Sequence, residues 1–77
     1  MISSEQCRMA RAALRWSAQE LAQRANVGRA TVQRLERGQV EPVPAIAAAI
    51  RRALEAAGIE FRPDGSVRLR EPAEAAQ

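Results

Sequence analysis

The sequence predicts a mainly helical bundle of four or five helices, closed by a short C-terminal β-hairpin. Three observations lead there. Alanine, the best helix former, supplies much of an apolar fraction of 47%. Serine-led capping signatures and glycine or asparagine stops recur at helix-length spacing through residues 1–58. Two short alternating runs then flank a Pro63-Asp64-Gly65 turn within residues 59–70. With 77 residues there is room for one domain and a modest core, in which Trp16 and Phe61 are the only rings. So small a core is expected to gain from self-association.

The first helix is predicted from Ser4 to Leu14. Ser3 and Gln6 have the form of a capping box, with Ile2 as the apolar staple outside it, and Cys7, Ala10 and Leu14 share one face. Arg15 and Trp16 break the pattern. Ser17 with Glu20 repeats the capping signature and opens a second helix, Ala18 to Ala25, ended by Asn26, which tolerates the left-handed conformation. Gly28 can cap a third helix, Arg29 to Arg37, which stops at Gly38. Gln39 to Pro44 reads as a loop. Pro44 suits the first turn of a fourth helix running through Ala57 to a Gly58 stop, with Ile46, Ile50, Ala53 and Leu54 as its apolar stripe. In the hairpin, Ile59 and Phe61 share a face with Val67 and Leu69, and Gly65 takes the left-handed bulge position. Residues 71–77 lack a core pattern and are expected to form a frayed tail.

All twelve basic residues are arginines, and residues 1–70 set them against seven acids for a net +5. The planar guanidinium fork suits phosphates and guanine edges, so double-stranded nucleic acid is favoured over a membrane as the partner. The chain has no histidine, and Cys7 is its single cysteine, which excludes an internal disulfide and a thiolate metal cluster. No metal, cofactor or small-molecule ligand is expected. Without a triad or paired catalytic groups, an enzyme is not expected either. No apolar run reaches membrane-spanning length and the first residues form no secretory signal, so the expected location is cytoplasmic.

The most informative stretch is Ser17 to Gly38. Two short helices meet through Asn26-Val27-Gly28, with Leu21, Ala22 and Ala25 facing Val32 and Leu35. Small Ala22 lets the backbones approach, and Val27 plugs the gap between them. This is the pattern of a helix-turn-helix. Arg11, the run Trp16 to Ala22, Asn26-Val27, Thr31-Val32 and Leu35 to Gly38 together resemble the Cro/repressor-type (xenobiotic-response-element) helix-turn-helix family over about residues 5–57. The run Arg51 to Phe61, ending in Val67 to Arg70, resembles a subset of short bacterial members.

The resemblance implies a repressor-like bundle that binds operator DNA, usually as a dimer, with Arg11 paired to Glu36. Three residues depart from the family pattern. Arg15 stands where glycine is frequent, Ala18 where many members carry a polar residue that helps hold a phosphate, and Asn26 where glycine is again frequent.

With Val32 and Leu35 turned inward, a step of 100° per residue puts Ala30, Gln33, Arg34 and Arg37 on the far face, flanked by Arg29 and Thr31. Arg29 and Arg34 are candidates for guanine contacts, Gln33 for an adenine and Ala30 for a thymine methyl. Gln19, Thr31, Arg37 and the amides around Gly28 are candidates for phosphates. The expected protein is a transcriptional regulator, a repressor in the first instance, binding an inverted repeat as a homodimer. The alternatives are a DNA-binding antitoxin with a toxin partner and an interaction module that does not bind DNA. Two surfaces offer themselves for the dimer: the alanine-rich fourth helix (Ala45, Ala47, Ala48, Ala49) and the open edge of the hairpin at 59–70.

Overall fold

The computed structural model describes residues 2–39 and 43–70. Four helices and a two-stranded antiparallel sheet follow in the order α1 (Ser4–Leu14), α2 (Ala18–Ala25), α3 (Arg29–Glu36), α4 (Pro44–Ala56), β1 (Ile59–Phe61) and β2 (Val67–Leu69). The expected loop at 39–44 lies partly, and the expected tail at 71–77 wholly, outside the described residues.

Local chemistry accounts for the helix starts. At α1 the Ser3 hydroxyl accepts from the Gln6 amide at 3.1 Å and the Gln6 side chain accepts from the Ser3 amide at 2.9 Å, a complete capping box. At α2 only half of it forms. Ser17 Oγ accepts from the Glu20 amide at 3.0 Å, but Glu20 turns along the helix and takes Arg24 Nε at 2.7 Å. A charged partner one turn on competes successfully with the cap amide. Gly28 and Val43 begin α3 and α4 without any side-chain cap.

Three helices end alike. After α1, the amides of Arg15 and Trp16 reach back to the carbonyls of Ala12 and Arg11. Asn26 and Val27 repeat this onto Gln23 and Ala22, and Gly38 and Gln39 onto Leu35 and Arg34. Each is a Schellman closure around one left-handed residue, at φ 59° for Arg15 and Asn26 and 69° for Gly38. In α1 and α2 the following residue, Trp16 or Val27, then packs on the core. Arg37 and Ala57, predicted as the last helical residues, prove to be the caps of α3 and α4. They keep right-handed dihedrals, the Arg37 amide donating to Gln33 four residues back and the Ala57 amide to Leu54 three residues back, each at 3.1 Å.

The core is built by α2, α3 and α4 around fully buried Leu21, Val32, Ile50 and Leu54, with Cys7 and Ala10 of α1 and Ile59 of β1 joining them. Ile2 is also buried. The helix-four surface departs from expectation. Ala45 is exposed and Ala48 and Ala49 are half-buried, but Ala47 retains only 3% exposure. It lies three residues before Ile50 and seven before Leu54, on the stripe that faces inward.

In the hairpin Ile59 opposes Leu69, Glu60 opposes Arg68 and Phe61 opposes Val67. Gly65, at φ 90°, donates to the Arg62 carbonyl at 3.0 Å, and Arg62 donates to Ser66 at 2.9 Å. Asp64 fastens the turn by accepting from both the amide and hydroxyl of Ser66, which holds its carboxyl below the usual range. β2 packs on α1 and β1 on α4, and Gln6 Nε2 donates to the Gly65 carbonyl at 3.4 Å.

Candidate nucleic-acid interface

The site begins with the ion pair that joins α1 to α3. Arg11 Nε lies 2.8 Å from Glu36 Oε2 and Nη2 lies 2.9 Å from Oε1, while Nη1 donates to the Trp16 carbonyl at 2.9 Å. The hydrogen bond to Glu36 raises the Arg11 pKa further, against the opposing effect of burial. One guanidinium therefore ties together α1, the end of α3 and the segment entering α2.

Two further groups converge on Glu36 that sequence reasoning missed. Arg8 Nη1 donates to its backbone carbonyl, and Cys7 Sγ lies 3.5 Å from Oε2. The signal for Arg8 was its place one turn before Arg11, on the same side of α1. Nothing in the sequence marked Cys7 as a neighbour of a carboxylate. Burial pushes the thiol pKa up to about 12, and the Glu36 charge adds to the effect.

With Val32 and Leu35 held inside, the far side of α3 is open. Arg29, Ala30, Arg34 and Arg37 are exposed, and Gln33 and Thr31 are half-buried. None of the ion pairs among the described residues engages Arg29, Arg34 or Arg37. Gln33 and Arg37 meet Ala18, the first residue of α2, at a cleft that Arg8, Arg11 and Glu36 also line. Gln19 is exposed beside it. Arg29 and Ala30 lie at the opposite end of α3, next to the turn.

Gly28 is exposed with an ordinary extended backbone, φ −73° and ψ 146°. A methyl there would meet only Thr31 Oγ1, at 3.7 Å, so neither conformation nor packing demands glycine. The first turn of α3 carries no acid, unlike α1 with Glu5 and α2 with Glu20. The residues that open it, Gly28, Arg29 and Ala30, are exposed, so the positive end of its dipole lies at the surface.

A family model described as Helix-turn-helix (HTH_3) matches residues 8–59, spanning all of α2, α3 and α4 and most of α1. The chain belongs to the Cro/C1-type helix-turn-helix family. This family consists of DNA-binding regulators of transcription rather than enzymes, and its members bind double-stranded DNA. No individually curated protein matches the chain. Among the described residues no group of acidic, cysteine or histidine side chains is arranged to hold a metal ion. No helix among them is long and apolar enough to cross a membrane.

Proposed function

We propose that this helix-turn-helix protein is a transcriptional repressor that binds an inverted-repeat operator as a homodimer, with α3 and its cap Arg37 in the major groove. The observation that carries the reading is the exposed, arginine-bearing side of α3, opposite fully buried Val32. In this account Arg29, Ala30, Gln33 and Arg34 meet base edges, while Gln19, Gly28, Thr31 and Arg37 hold phosphates. The uncapped, acid-free start of α3 supports a phosphate role for the Gly28 amide region. The Arg11–Glu36 pair is structural in this scheme, because it sets the angle at which α3 is presented.

Two-fold symmetry supports the dimer on general grounds, since one module covers little DNA. We place the dimer contact at the hairpin, with α4 beside it. Bonds between Arg62 and Ser66 and between Arg70 and Gly58 alternate with the Ile59–Leu69 and Phe61–Val67 positions. The main-chain groups of those four residues therefore point away from the hairpin, and no main-chain partner takes them among the described residues. Leu69 adds 40% exposure to that edge.

Selection of bound duplexes from a randomised pool tests the reading. The expected result is an inverted repeat with half-sites about one helical turn apart. Enrichment of a solitary half-site, or of no sequence, would reject it.

A further inference from the structure

The cleft between α1, the start of α2 and α3 is lined by Arg8, Arg11, Ala18, Gln33, Glu36 and Arg37. Its three guanidiniums are not equivalent. Arg11 is committed through Nε, Nη1 and Nη2 to Glu36 and Trp16. Arg8 is exposed and engages only through Nη1, leaving the Nε and Nη2 donors without an acceptor among the described residues. Arg37 is exposed and forms none of the ion pairs found among them. Arg11 neutralises Glu36, and among the described residues no second carboxylate lines the opening to balance Arg8 and Arg37. The Ala18 methyl in its lining is too short to contribute a polar group.

Two guanidinium forks facing one opening suit a tetrahedral anion whose oxygens can accept from both. The site also borders Gln33, on the side of α3 that the proposed function assigns to DNA. We propose that Arg8 is a phosphate ligand in the DNA complex, gripping one backbone phosphodiester jointly with Arg37. The bond from Nη1 to the Glu36 carbonyl aims the guanidinium. Helix α1 thereby contributes to affinity as well as to the fold. This rests on α3 lying in the major groove. Because the contact reads no base, it adds salt-dependent affinity without sequence preference.

The test titrates the full chain with its selected operator and with a random duplex of equal length, over a range of salt concentrations. Arg8→Ala is expected to reduce the slope of log affinity against log salt by about 0.9 per bound protomer. It should weaken both duplexes by one common factor, about fivefold per bound protomer near physiological salt on the same scaling. Arg8→Lys should keep the wild-type slope. Because Arg8 also bonds the end of α3, Arg8→Gln serves as a second variant that removes the charge while keeping a polar side chain of good helix propensity. It should lose the same slope while still melting in one cooperative transition. A wild-type slope for Arg8→Gln, or a loss confined to the operator, would overturn the proposal. Failure of the underlying function looks different: the wild-type chain would prefer no duplex, and Arg34→Ala would change nothing.

Discussion

Arg11 takes both carboxylate oxygens of Glu36 across the gap between α1 and α3, at 2.8 and 2.9 Å, but the two partners are unequally wetted. The arginine side chain keeps 27% exposure and the glutamate 9%. Losing one partner should therefore depend on which is lost. Arg11→Met leaves a buried carboxylate whose remaining hydrogen-bond partner among the described residues is the Cys7 thiol, whereas Glu36→Gln leaves a guanidinium that water can reach. Arg11→Met is expected to cost about 2–4 kcal/mol and Glu36→Gln about 1–2 kcal/mol, by urea unfolding. The reverse order would mean that solvation of the pair has been misjudged.

Cys7 makes stability depend on alkaline pH. Its thiol has an ordinary value of 9.0 and is pushed up to about 12 in the folded chain. Below pH 9 both states keep the proton, so nothing changes. Between pH 9 and 12 the unfolded chain releases it while the folded chain holds it, so stability falls as pH rises. The slope from this one group approaches about 1.4 kcal/mol per pH unit. Urea midpoints at pH 8, 9 and 10 should decline, and Cys7→Ala should flatten that decline. The native thiol should also resist alkylation at neutral pH, since little thiolate forms.

Arg15 occupies a left-handed position, φ 59° and ψ 36°, that costs a residue with a β-carbon about 1–2 kcal/mol. Arg15→Gly should relieve the strain and raise stability by roughly 0.5–1 kcal/mol after the added unfolded-state entropy. Asn26→Gly, in nearly the same conformation, should gain less because asparagine tolerates it better. Thermal melts compare the two, and a larger gain at Asn26 would contradict the argument.

On the DNA side, Arg29→Ala and Arg34→Ala should each weaken operator binding by roughly 1–3 kcal/mol and relax preference at one base pair. Competition with single-base operator variants measures this. Equal losses on operator and random DNA would reassign the residue to a phosphate.

The hairpin contact can be probed without dismantling the fold. Truncation at residue 58 would remove Ile59, which is 1% exposed and part of the core, so a point change is preferable. Leu69→Glu puts a charge on the exposed outer edge of β2 and should shift sedimentation from dimer to monomer with helical content kept. A dimer of unchanged stability would direct attention to α4 instead.

Much of this fold is determined by the sequence alone, because its boundaries are local events. Ser3 caps the amide three residues on, Asn26 and Gly38 turn left-handed where helices stop, and Gly65 closes a turn whose hydrogen bonds stay within five residues. The outward side of α3 is equally local, since Val32 and Leu35 determine its rotation. Only the tertiary structure decided what depends on segments far apart in the chain. It sent Arg8 to the Glu36 carbonyl, set Cys7 against a carboxylate 29 positions away, turned Ala47 inward and laid β2 along α1. Spacing along a chain states which groups share a face. Which groups meet across the core depends on how those faces pack, a property of the whole assembly of helices.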